Sequence, residues 1–306
     1  MLIDTFHSIA TAARKVLKNW QSMLLLAIVY AALLAALYFF TAIKEASVAQ
    51  VVLTFGLAIA AFVLFFLLHA LVVGVAGGTG EAGDEAGGDV GGDRAADSTT
   101  DPTVAHLLKK SVANFGKLVV ISLPLIALAV LIFYLLGKAQ NYFGTGANAG
   151  DVLDPIARSR SRNPERPPIN WTAAIFSSLR YLAFGLLLPL ATIHLWLATV
   201  RDGLWPAIRR IGTHVSRAFA PQSVLIYIVG FLIFGVLPYL LLFKTTPSSK
   251  AWLEISFLVA RLAAVFALTL FGWVVTVWAL SLSSTAPTHP SPSAKASAVE
   301  PASEAA

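Results

Sequence analysis

Six long apolar stretches constrain this chain of 306 residues more than anything else in it. They lie at about Ser22–Ile43, Val48–Val75, Leu118–Leu136, Trp171–Val200, Ser223–Phe243 and Trp252–Leu282. Roughly 18–20 consecutive apolar residues cross the hydrocarbon core of a bilayer, and each stretch meets that length. A backbone N–H or C=O in lipid has no water to bond. A spanning segment must therefore satisfy its own backbone and forms a helix; the alternating pattern of a closed barrel is absent. A soluble reading fails on composition as well. The chain is 57% hydrophobic and only 12% charged, where a soluble domain carries about 25% charged residues. The fold class read here is all-α: a polytopic membrane protein with six transmembrane helices.

A basic amphipathic stretch leads into each odd-numbered span. The first holds Ile3, Phe6, Ala10, Ala13, Leu17 and Trp20 at three- and four-residue spacing, opposite Arg14, Lys15 and Lys18. The second holds Val104, Leu108, Ser111 or Val112, and Phe115, opposite Lys109 and Lys110. The third holds Leu204, Ile208, Ile211, Val215 and Ala218, opposite Arg209, Arg210 and Arg217. An apolar stripe against a cationic face is the pattern of a helix lying in the headgroup plane, so three interfacial helices are expected. Lead-in plus two spans recurs three times, which suggests a threefold helical-hairpin repeat. The first two units align without a gap at an offset of 95: Arg14-Lys15 falls on Lys109-Lys110, Asn19 on Asn114, and Trp20 on Phe115. The third needs a small insertion.

These units divide the chain into residues 1–76, 102–200 and 201–282. Between the first two lies an acidic, glycine-rich linker, 77–101, which cannot bury a core. Within the second unit, 140–169 reads as a loop carrying Arg158, Arg160, Arg162 and Arg166; the Ala/Pro/Ser-rich tail, 283–306, reads as disordered. Residues 1–20 do not read as a signal peptide, because the apolar run that follows is too long and no clean cleavage site succeeds it. Pro124, Pro189 and Pro238 fall inside spans, where each removes a helix hydrogen bond; either the membrane helix simply tolerates the proline, or a kink there opens a cavity. Counting Lys and Arg near the span ends gives ten on the side of the interfacial helices and eight on the other. The bias, sharpest at the first helix, expects both termini in the cytoplasm. The spans and composition suit a bacterial inner membrane.

The lead-in segments Ala13–Leu24, Leu108–Val119 and Ile208–Leu225 resemble those of bacterial six-helix membrane proteins similar to the membrane domain found beside some glycerophosphoryl diester phosphodiesterases. The resemblance implies a six-helix fold and a membrane setting. No phosphodiesterase catalytic domain accompanies it, so it carries over no catalytic residue.

Chemistry is sparse. The absence of cysteine excludes disulfides and thiolate metal sites. There is no Walker loop, dinucleotide fingerprint, nucleophile elbow or metalloprotease motif, and the reading is of a protein that is not an enzyme and needs no cofactor. Arg180 and Arg261 each fall about nine residues into a span. Either the two guanidinium groups converge on an anion such as a lipid phosphate, or the true spans begin later and the side chains reach back to the headgroups. His69 and His194 lie toward the same end of the second and fourth spans; they read as packed histidines rather than as a proton relay or metal pair. His214 reads as a polar-face residue. The expected partners are membrane lipids, with anionic headgroups against Arg14, Lys15, Lys109, Lys110, Arg209 and Arg210, and no nucleic acid. Two functions stay open: binding or moving a lipid or other amphipathic molecule, and serving as a structural or accessory subunit of a membrane complex.

Overall fold

The computed structural model describes residues 2–43, 47–77, 104–148, 171–244 and 251–285. The acidic linker, the Arg158–Arg166 cluster and most of the tail lie outside the described residues. The described chain is helical without strands, and six of its helices are long and apolar enough to cross a membrane. The elements are α1 (Leu2–Lys18), α2 (Trp20–Ala42), α3 (Val48–Gly77), α4 (Val104–Asn148), α5 (Trp171–Asp202), α6 (Leu204–Arg209), α7 (Ile211–Ala218), α8 (Pro221–Phe243) and α9 (Ala251–Thr285).

Helix α1 resolves its sequence pattern into three faces. Thr5, Ala12 and Val16 are buried against the bundle, where α1 packs on α9 and the start of α8. Ile3, Phe6 and Leu17 form a second, exposed apolar face, with Phe6 60% exposed. Arg14, Lys15 and Lys18 occupy the third. At 100° per residue these faces centre roughly 100° apart or more, so one helix presents a packed, an exposed apolar and a cationic face. The end of the bundle that α1 covers is called basal below.

The other two lead-ins differ from expectation. Residues 104–115 do not form a separate interfacial helix but open the 45-residue helix α4. At Asn19 the chain breaks between α1 and α2, with Ser22 Oγ donating to Asn19 Oδ1 at 2.8 Å. The aligned Asn114 instead sits within a continuous helix, buried, and accepts from Lys117 Nζ. Both asparagines thus accept a side-chain bond from three residues on, and only the chain at Asn19 breaks. The third lead-in is two short helices, α6 and α7, parted at Arg210. Helix α4 also runs to Asn148, into the segment read as loop from residue 140, and α9 continues to Thr285.

The second span of each hairpin takes the centre: α3, α5 and α9 contact one another pairwise, while α2, α4 and α8 flank them. The bundle closes only in its basal half. Leu71, Leu195 and Leu280 are almost fully buried, as are Leu118 and Ile226 on the flanking helices. Beyond them the large apolar side chains are exposed: Val52 and Phe55 on α3, Leu131 on α4, Tyr181 on α5, Leu258 on α9. The helices therefore diverge toward the distal end.

Two spans carry a π turn, each just before a proline. In α5 it covers Ala183–Leu187, with Leu188 N–H donating to the Ala183 carbonyl and Pro189 following. In α8 it covers Leu232–Val236, ahead of Pro238. Proline has no N–H for the carbonyl four residues back, and a π turn absorbs the misfit. Pro124 lies in α4 without one. The carbonyl deprived by Pro189 is that of Gly185, and Tyr227 of α8 donates its hydroxyl to it at 2.9 Å. A tertiary contact thus supplies what the helix lost.

Candidate functional site

Among the described residues, two cavities lie at the level where the bundle closes. The larger, about 390 Å³, lies among α3, α4 and α5, with Trp273 of α9 at its edge. The smaller, about 250 Å³, lies among α2, α3, α8 and α9. Phe65, His69 and Trp273 line both and form the partition between them. The larger volume falls within the roughly 300–1,000 Å³ typical of small-molecule sites.

His69 is the polar centre of this partition. It is 8% exposed and packed in aromatic rings: centroids lie 4.2 Å away for Phe65, 4.7 Å for Trp196 and 5.5 Å for Trp273. Its Nδ1 is 2.7 Å from the Phe65 carbonyl, one turn back on the same helix. A carbonyl only accepts, so in the neutral ring Nδ1 carries the proton and Nε2 presents a lone pair. Nε2 has no hydrogen-bond partner and, unlike Nε2 of His194 and His214, is not sealed by packing.

The remaining polar groups of the larger cavity are committed to one another. Trp196 Nε1 donates to Ser122 Oγ at 2.8 Å, and Ser122 donates onward to the Leu118 carbonyl at 2.7 Å. Thr192 donates to the Leu188 carbonyl at 2.7 Å. The Trp273 indole N–H makes no hydrogen bond but is enclosed by its neighbours. The lining carries no charged side chain. Pro189 and Phe184 contribute to the wall, so the π turn of α5 shapes the cavity as well as relieving the proline.

The residues singled out from the sequence fall elsewhere. Arg261 donates to the carbonyl of Lys244, the residue that ends α8. The apolar run of α8 stops at Phe243, so Arg261 stands at the distal edge of the bundle rather than deep within it. Its guanidinium meets a carbonyl that has no helical donor, at the negative end of a helix dipole. Arg180 lies 5.5 Å from the Phe133 ring centroid and 3.7 Å from the position a Cβ on Gly137 would take. The neighbouring Lys138 ends the apolar run of α4, which sets Arg180 at the same edge. The two arginines have different neighbours, α4 for Arg180 and α8 for Arg261.

Arg14, Lys15, Lys109, Arg209 and Arg210 are exposed at the basal end, and Lys110 is half-buried there. Arg209 stacks over Trp205, with Cζ 5.5 Å from the ring centroid.

His69 and His194 do not face each other. His194 is buried, and the charged groups it interacts with are His214 and Arg217. His214 is not a polar-face residue: it is 7% exposed and, with Ala218, lies on the buried side of α7, which packs on α5. Burial pushes its pKa below the ordinary imidazole value; Asp202 opposes this, while Arg217, Arg201 and Arg210 add to it. Among the described residues no three His, Cys, Asp or Glu side chains group closely enough to hold a metal ion.

Sequence reasoning missed Ser122, Trp196 and Trp273 as site residues. Each sits on a different helix, and no spacing within one helix signals their meeting. Compared with protein-family models, curated proteins and solved structures, the chain matches none of them.

Proposed function

We propose that this protein binds an amphipathic, lipid-like molecule in the larger cavity and holds it or passes it on within a bacterial inner membrane, both termini lying in the cytoplasm. The observation that carries the reading is the cavity itself. It is walled by apolar side chains, and its lining includes His69, whose Nε2 has no hydrogen-bond partner. The cationic faces of α1 and α6–α7 support a setting against anionic headgroups. The likeness of the lead-in segments to those of six-helix membrane domains accords with this setting.

A second reading, an accessory subunit of a membrane complex, draws on one observation. Helix α3 is central at the base yet exposed at Val51, Val52 and Leu53 and again at Phe55 and Ile59, an apolar surface another helix can cover. Mass spectrometry of the protein extracted in mild detergent separates the two. Lipid binding expects one lipid class retained at near-stoichiometric amount, and its loss when Leu125→Trp fills the cavity. An identical retention profile for wild type and Leu125→Trp overturns it, and a stoichiometric protein partner favours the second reading. Reporters active only in the cytoplasm or only in the periplasm, fused to each terminus, test the orientation.

A further inference from the structure

The polar inventory of the larger cavity points to the chemical class of its ligand. We infer that the cavity takes an uncharged lipid whose head is a free hydroxyl, such as a diacylglycerol or a long-chain alcohol, with that hydroxyl donating to His69 Nε2. The inference rests on the lipid-binding reading and goes one step beyond it.

Every hydroxyl hydrogen in the lining is already spent: Ser122 gives its own to the Leu118 carbonyl and Thr192 gives its own to the Leu188 carbonyl. The Trp196 N–H is taken by Ser122, and the Trp273 N–H is sealed off. What remains in the lining is acceptor capacity: the lone pair on Nε2 of His69, the residue shared with the smaller cavity, and the unused lone pairs of the two hydroxyl oxygens. A ligand whose head only accepts, such as an ester or ether, finds nothing to bond there and leaves His69 Nε2 unpaired. A phosphate or carboxylate fares worse, because no cation lines the cavity and the charge would be buried uncompensated. An ammonium finds no counter-charge. A hydroxyl supplies the one missing donor without bringing a charge, and the apolar walls take its chain.

None of the described cations lines this cavity; Arg180 stands outside it over Phe133, which packs on the lining residue Phe184. Arg261 is bonded to the end of α8 at the distal edge, and the interfacial Arg and Lys residues are basal. Anionic lipid is therefore expected around the protein rather than inside it.

Brominated lipids quench the indoles of Trp196 and Trp273 on contact and give the test. Three dibrominated probes are titrated into the full-length protein in mild detergent: diacylglycerol, the same lipid with its hydroxyl acetylated, and phosphatidic acid. Saturable quenching at a concentration at least tenfold lower for diacylglycerol than for the other two is expected. In His69→Phe the advantage of the free hydroxyl over the acetylated lipid should vanish while quenching persists. Equal or stronger quenching of the wild type by the acetylated lipid or by phosphatidic acid, lost when Ala129→Phe fills the cavity without adding an indole, overturns the hydroxyl assignment and leaves lipid binding standing. No saturable quenching by any probe overturns both. The wild-type comparison needs no variant to fold.

Discussion

Replacing Tyr227 by phenylalanine tests whether the bond to α5 is a structural repair. Pro189 has no N–H to offer the Gly185 carbonyl, and the Tyr227 hydroxyl donates to that carbonyl at 2.9 Å. Tyr227 is almost fully buried, so water does not replace the lost donor. Phenylalanine keeps the ring and its packing against Phe231 and Phe234. An interhelical hydrogen bond in a membrane is worth about 0.6 kcal/mol on average and up to about 1.7. Leaving a buried acceptor unsatisfied costs about 1–3 kcal/mol. A loss of about 1–2 kcal/mol is expected, or roughly 2–4 °C per kcal/mol in thermal midpoint. The decisive comparison is a double-mutant cycle. Pro189→Ala restores an N–H four residues after Gly185, so Tyr227→Phe in that background should cost about 1 kcal/mol less. Denaturation of the detergent-solubilised protein, followed by tryptophan fluorescence, measures all four members. An equal loss in both backgrounds refutes the repair.

Three further outcomes follow from the packing. A Cβ on Gly230 would lie 2.7 Å from Thr276 Cγ2 and 2.9 Å from its Cβ, and Thr276 is held by its 2.6 Å bond to the Gly272 carbonyl. Gly230→Ala should therefore cost about 1–3 kcal/mol, part of it recovered by Thr276→Ala; a neutral Gly230→Ala in the same denaturation assay refutes the close approach of α8 and α9. Arg261→Met should cost about 0.5–1 kcal/mol by uncapping α8, whereas Arg261→Lys should retain most of that in thermal melts; an unchanged midpoint for Arg261→Met argues against the cap. His214 has its pKa lowered in the folded state, so between the folded value and the unfolded 6.5 the unfolded chain binds the extra proton. Stability should be full above about pH 6.5 and fall on acidification, and His214→Gln should flatten that slope in melts across pH 5–8; an unchanged slope removes the assignment.

The parts of the fold legible in the sequence are those set by local chemistry. Apolar length fixes the six spans, since a backbone in lipid has only its own helix to bond. The stripe Ile3, Phe6 and Leu17 against Arg14, Lys15 and Lys18 predicts a helix with separate apolar and cationic faces, and α1 has both. The buried face of α1, through Thr5, Ala12 and Val16, escapes the pattern because small and polar residues also pack well between helices. His214 illustrates the same limit: a polar residue among arginines looks solvated until α7 is seen docked on α5. The prolines at 189 and 238 are visible as breaks, but not that π turns would absorb them or that Tyr227 would complete one.

What the sequence determined alone is the membrane class, the number of spans and the basic lead-ins, because hydropathy and charge act within one helix and need no partner. Tertiary structure decided the site. His69 becomes a lone acceptor only once its Nδ1 turns to the Phe65 carbonyl and its ring meets Trp196 and Trp273 from two other helices. Arg180 and Arg261, the most conspicuous charges within the spans, lie at the edge because the ends of α4 and α8 reach the level where they stand. Depth in a membrane and free hydrogen-bonding capacity are properties of neighbours, and a linear pattern does not contain them.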